Sequence, residues 1–173
     1  MIKNNFFYIK DIKHIVFIGF SDLFEKLISI NNDLGIKTTI LTCSDQHSQI
    51  SDIINYKVFD KLDNRFKKYV QENVNINETL FVSLGSRFIF KEKDIKEFFN
   101  YNLVNFHGSR LPLDSGGGGM SWRILRGDRI DNQLVHLIDE GIDTGPILKN
   151  KKSIFPASCK IPLDHEEYSK KNF

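Results

Sequence analysis

The segment His14-Ile-Val-Phe-Ile-Gly19 constrains this chain more than any other. A short run of β-branched and aromatic residues, closed by glycine, reads as a strand buried on both faces. Ser21 then offers an N-cap with Asp22 in the first turn, and Leu23, Leu27 and Ile30 follow at helical spacing. After Gly35, Ile36 to Leu41 is strand-like again. Strand, helix and strand within about thirty residues define a βαβ unit, because parallel strands need a crossover of that length.

The rest of the chain is consistent with that unit. Tyr56 to Phe59, Thr79 to Leu84, Leu103 to Asn105 and Gln133 to Ile138 read as strands, and an extended segment starts at Pro146. Leu62 to Val70, Asp94 to Phe99 and Met120 to Leu125 read as helices. The expected fold class is α/β: an open, mostly parallel twisted sheet with helices on both faces. Such sheets bind ligands at the carboxyl ends of their strands. Gly85 to Phe88 and Asn105 to Ser109 occupy such ends.

Composition bounds the partners. In 173 residues, 40% apolar with fifteen Phe, there is core enough for one domain. Basic and acidic side chains leave a net charge of +2, which gives no nucleic-acid footprint and no membrane-seeking face. Cys43 and Cys159 lack a CxxC partner, so reduced thiols in a cytoplasmic protein are expected. The start, Met1-Ile-Lys-Asn-Asn5, leads into no signal-peptide core, and no apolar run reaches membrane-spanning length.

No G-x-G-x-x-G, P-loop or G-x-S-x-G pattern is present. What stands out is Asn105-Phe-His107-Gly-Ser109-Arg-Leu-Pro112, with Asp143 thirty-six residues beyond His107 in Asp139-Glu-Gly-Ile-Asp143-Thr-Gly. Residues two apart on a strand point to the same side, so the Asn105 amide and the His107 imidazole can converge on one developing oxyanion. A carboxylate at 143 can orient the imidazole or raise its basicity. Singly, these are more often a capping Asn, a loop His and a turn Asp; their conjunction in an α/β chain reverses the balance in favour of a site. No metal-ligand cluster is visible.

These two segments resemble the signature of the folate-dependent formyltransferases, with the Rossmann-like fold of that family. The resemblance is strong from Phe81 to Leu148 and extends toward His14. It implies one catalytic domain over residues 1–173, trimmed at its C-terminal end, with Asn105, His107 and Asp143 as the catalytic trio. It implies 10-formyltetrahydrofolate as formyl donor, bordered by Arg87, Phe88 and Ile89 and closed over by Asp139, Glu140, Gly141 and Ile142. The trio would then act on a tetrahedral intermediate, Asn105 and a protonated His107 donating to its oxygen, with no metal required. His136 matches a histidine common in the family, and as a lone strand histidine it reads rather as packed.

The chain departs from the family pattern in three places. Ser109-Arg-Leu-Pro112 replaces Ser-Leu-Leu-Pro, Asp131-Asn-Gln-Leu134 replaces Thr-Gly-x-Thr, and four glycines, Gly116 to Gly119, form the intervening loop. That loop is either a connector or a source of N–H groups for a phosphate. Gly19-Phe-Ser21 lacks the phosphate loop of the glycinamide-ribonucleotide enzymes, and 173 residues are expected to leave no room for the tRNA-binding domain of the methionyl-tRNA enzymes. By elimination the nearest member is a nucleotide-sugar N-formyltransferase, with Ser109, Arg110, Gly117, Gly118 and Trp122 as substrate-binding residues. The expected partner is a small-molecule amine, with no membrane or nucleic acid; homo-oligomerisation stays open. The alternatives are formylation of methionyl-tRNA or glycinamide ribonucleotide, a non-catalytic folate or nucleotide binder of this fold, or an unrelated α/β binding domain.

Overall fold

A computed structural model describes residues 11–50 and 55–172, with the side chain of residue 49 also set aside. The amino-terminal stretch read above as lacking a signal-peptide core is, up to Lys10, outside the described residues. Among the described residues no helix is long and apolar enough to cross a membrane. Seven strands form one sheet in the order β3-β2-β1-β4-β5-β6-β7, so the α/β class holds. The chain divides into two compact units, residues 1–104 and 105–173, and the division falls inside the fifth strand.

The first unit contains β1 (His14–Gly19), α1 (Phe24–Asp33), β2 (Lys37–Thr42), β3 (Tyr56–Val58), α2 (Asn64–Asn73), β4 (Thr79–Leu84) and α3 (Glu92–Phe99). β1 runs parallel to β2 and to β4, with His14 opposite Lys37 on one side and Thr79 on the other. Burial along β1 is near-continuous, as a strand covered on both faces requires. Helix α1 starts at Phe24, later than the sequence suggests, because Ser21 Oγ accepts from the Leu23 N–H and closes a turn first. Phe24 and Asn31 pack inward, and Ile30 is left exposed. The core is aromatic: Phe99 meets Phe81, Phe66, Phe90 and Phe98 at ring distances of 4.9–6.1 Å. At the ends of β1 and β4 the backbones touch. A Cβ at Gly19 would lie 2.4 Å from the Leu84 carbonyl oxygen, and one at Gly85 would lie 2.4 Å from that of Phe20.

β5 (Leu103–His107) carries the chain into the second unit, which continues as α4 (Gly119–Leu125), β6 (Ile130–Leu137), β7 (Ile147–Ile154) and α5 (Pro162–Asn172). β6 and β7 are antiparallel, and their register shifts between Val135 and His136. The helix α5 has no counterpart in the sequence reading. It lacks an apolar stripe and docks through both rings and polar side chains: His165 and Tyr168 pack on Phe155 at ring distances of 4.3 and 5.3 Å, Ser169 Oγ donates to Asp131 Oδ1 at 3.0 Å, and Gln133 Nε2 to the Ser169 carbonyl at 2.6 Å. Beneath it the guanidinium of Arg123, 1% exposed, stacks 4.6 Å from the Phe155 ring and lies 3.6 Å from Asp131 Oδ1.

Candidate active site

Asn105 and His107 both lie on β5, two residues apart, as the alternation of a strand requires for a shared face. Asp143 follows β6 in a turn where its own φ is +56°, a left-handed conformation that Asp and Asn tolerate better than most residues. The tertiary fold closes the gap between the two segments. Asp143 Oδ2 lies 3.7 Å from His107 Nε2, and Asp143 Oδ1 lies 3.6 Å from His136 Nε2. The three predicted residues thus converge within the second unit, and His136 joins them.

His136 is 2% exposed, and its tautomer is legible. Nδ1 lies 2.8 Å from the Leu137 carbonyl oxygen, which can only accept, so Nδ1 carries the proton and Nε2 keeps its lone pair. That lone pair accepts from the Asn105 amide nitrogen at 3.1 Å. The amide therefore turns its NH₂ inward, and one of its two N–H bonds remains to donate elsewhere. The β-bulge at Val135/His136 is where the strand re-aims this ring. A packed strand histidine is what the sequence favours; the structure makes it part of the cluster.

Ser109, assigned above to the substrate, is buried, and its hydroxyl is engaged within the fold. It donates to the Asp114 carbonyl at 2.7 Å and is hydrogen-bonded to His107 Nε2. With its proton given to Asp114, Ser109 accepts from the His107 Nε2–H and positions the ring. Burial is the main influence on His107 and pushes its pKa below the ordinary histidine value, with Asp143 opposing. The ring is neutral at rest, whereas the resemblance has it protonated while donating to an oxyanion. A proton must reach it as charge develops.

The glycine loop has a definite task. The Gly116 N–H donates to Asp143 Oδ2 at 2.8 Å, so this amide holds the carboxylate and is not left for a phosphate. Gly116 and Gly118 both adopt positive φ, +78° and +79°, and a Cβ at Gly117 would meet nothing within 4 Å. Arg110 pairs with Asp128, while Trp122 is 61% exposed. In the acidic turn, Asp139 Oδ1 accepts from the Gly141 N–H and from Thr144 Oγ1 at 2.6 Å. Glu140 is exposed there, and Ile142 is 66% exposed. In the first unit, Arg87 pairs with Asp45 at 2.7 Å, Phe88 is half-buried, and Ile89 is 76% exposed.

No metal-ligand cluster is visible along the sequence; in the fold, His107, His136 and Asp143 place one ligand atom each within 4.8 Å of one another. They are too far apart in the chain to show ligand spacing, and only the fold gathers them.

No protein-family model matches the chain. A methionyl-tRNA formyltransferase from Thermodesulfovibrio yellowstonii is 34% identical over 92 residues, 53% of this chain and 28% of that protein, so the match spans under a third of its relative's length. Among solved structures, the phosphoribosylglycinamide formyltransferase of Brucella melitensis superposes with a TM-score of 0.73 at 16% identity, covering 94% of this chain and 90% of that one. The formyltransferase PseJ from Anoxybacillus kamchatkensis, solved with a UDP-linked formamido sugar and tetrahydrofolate, superposes at 0.59 and 22% identity, covering 91% and 69%. The chain thus shares sequence with a methionyl-tRNA formyltransferase over about half of its own length, and shares its fold with formyltransferases of solved structure.

Proposed function

We propose that this protein transfers a formyl group from 10-formyltetrahydrofolate to a primary amine, and that the amine is carried on a nucleotide-linked sugar. The observation that carries the first half is the convergence of Asn105, His107, His136 and Asp143, with the carboxylate fixed by the Gly116 N–H. Such a cluster suits an acyl transfer in which charge appears on one oxygen. As the amine attacks the formyl carbon, the carbonyl oxygen becomes negative, and the free Asn105 N–H and the His107 ring donate to it. The attacking nitrogen must lose a proton and the departing folate nitrogen must gain one. A neutral His107 beside Asp143 can accept and return that proton, since the carboxylate stabilises the imidazolium formed on the way. The folate supplies the activated formyl group; the turn Asp139 to Ile142, in the unit that carries the trio, is the segment we assign to it, and its exposed Ile142 gives apolar surface of the kind a flat ring needs.

For the acceptor, the exposed indole of Trp122 offers a stacking face for a base, and Gly117 and Gly118 leave room beside it. The likeness to PseJ supports the same reading. The sequence match to a methionyl-tRNA formyltransferase favours a second acceptor, the amine of a charged tRNA. The test is release of tetrahydrofolate from 10-formyltetrahydrofolate in the presence of UDP- and dTDP-linked amino sugars, glycinamide ribonucleotide and methionyl-tRNA. Turnover with an amino-sugar nucleotide is expected. Turnover only with the tRNA or the ribonucleotide overturns the acceptor, and turnover with none overturns the activity. His107→Ala and Asp143→Asn should each lower kcat by about a hundredfold to ten-thousandfold while the fold persists. Wild-type rates in either folded variant sink the mechanism.

A further inference from the structure

The cluster that serves an oxyanion also has the composition of a metal site. His136 presents an unprotonated Nε2, and its Nδ1–H is anchored on the Leu137 carbonyl, the second-sphere arrangement that fixes histidine ligands. Asp143 supplies a carboxylate 3.6 Å from that nitrogen and 3.7 Å from His107 Nε2. All three ligand atoms lie within 4.8 Å of one another. Bonds of about 2.0–2.1 Å to zinc put tetrahedral ligand atoms roughly 3.4 Å apart, close to the spacing of Asp143 Oδ1 from His136 and of Asp143 Oδ2 from His107, so a small shift of the rings brings all three residues onto one ion. Two imidazoles and one carboxylate suit zinc and its neighbours, whereas magnesium prefers an all-oxygen octahedron.

We propose that His107, His136 and Asp143 form a three-ligand site for a divalent transition metal of zinc's chemistry, and that an ion seated there blocks formyl transfer. The ion and the reaction compete for the same atoms. Binding takes the His136 lone pair from the Asn105 amide, takes the Asp143 carboxylate from His107, and requires His107 to give up its Nε2 proton and its hydrogen bond to Ser109. Nothing then remains to accept the amine proton. The lost hydrogen bonds oppose the new metal bonds, which sets the site apart from a permanently loaded structural one. It acts as a reversible brake that engages when free metal rises. The braking half rests on the transfer activity proposed above; the metal site does not.

Cobalt is the probe, because its visible spectrum reports four-coordinate binding without any substrate. Titration of the full chain with Co²⁺ should give one ion per chain with intense d–d bands, displaced by equimolar Zn²⁺ and unaffected by millimolar Mg²⁺. His136→Gln and Asp143→Asn, each verified as folded by circular dichroism, should weaken binding by at least about a hundredfold, the upper end of what even an outer-sphere partner costs. Cys159→Ser, which removes the half-exposed thiol, should bind cobalt unchanged. Absence of the bands at micromolar cobalt, or wild-type affinity in both ligand variants, overturns the site. Zn²⁺ should abolish formyl transfer and a chelator restore it; bound cobalt with undiminished transfer overturns the brake. Bound cobalt in a protein that transfers formyl to no acceptor leaves the site standing and defeats the activity instead.

Discussion

At the scale of single residues, the acidic turn shows how little freedom the site allows. Asp143 holds a left-handed φ of +56°, which asparagine also tolerates, so Asp143→Asn removes charge without refolding the turn. Two glycines nearby differ in what confines them. A Cβ at Gly145 would lie 1.8 Å from the Leu137 carbonyl oxygen, a backbone atom of the strand that carries His136. A Cβ at Gly141 would lie 2.0 Å from Thr144 Oγ1, a side-chain atom that can rotate away at the loss of its bond to Asp139. Gly145→Ala is therefore expected to destabilise by about 1–3 kcal/mol or more, the ordinary cost of overpacking. Gly141→Ala should cost less and be relieved by adding Thr144→Ala. Urea denaturation of the three variants checks this; equal losses in the two single variants would mean that the backbone contact at Gly145 is not the tighter one.

At the scale of elements, the two units are held by different physics. α3 docks through rings, and Phe99, fully buried among four other phenylalanines, should cost about 3–5 kcal/mol when truncated to alanine. α5 adds to its two ring contacts with Phe155 a set of polar groups around a buried charge. Asp131 faces the Arg123 guanidinium at 3.6 Å and also accepts from Ser169 and Ser153. Removing one partner of a buried pair leaves the other charge unscreened, whereas replacing the cation with an apolar chain of similar volume leaves no such debt. Asp131→Ala should thus lose about 3–5 kcal/mol, and Arg123→Met far less. A larger loss from Arg123→Met, measured by the same urea titration, refutes this account of how α5 is held.

At the scale of the whole molecule, acid stability should follow His14 at the head of the central strand. Burial, with Lys37 opposite, lowers its pKa from 6.5 to about 4, and Nε2 is hydrogen-bonded to Thr39 Oγ1 at 2.9 Å. The unfolded chain binds this proton more tightly than the folded one, so protonation favours unfolding. The contribution is intact above pH 6.5 and is lost as pH falls from 6.5 toward 4. Its size is on the order of 3 kcal/mol, from the free energy of protonation over that interval. Thermal melts across pH 7 to 4 should show the decline in the wild type and a shallower one in His14→Gln. Parallel profiles would assign the acid sensitivity elsewhere.

The sequence alone determined the βαβ start, the parallel character of the sheet and the pairing of Asn105 with His107 on one face, because apolar runs and strand alternation are local properties. Asp143 was legible through a short motif whose glycines mark a turn. His136 was not, since a lone histidine among alternating strand residues looks the same whether it packs or serves; its role depends on a bulge and on an amide thirty-one residues away. Nor was α5, whose docking surface mixes His165, Tyr168 and Ser169 and leaves no periodic apolar stripe. The loop Gly116 to Gly119 could be read only as a connector or a phosphate cradle, and that Gly116 instead holds Asp143 is a long-range contact. Local physics selects the elements, but which lone pair meets which N–H is decided by chain segments that become neighbours only when the sheet has formed.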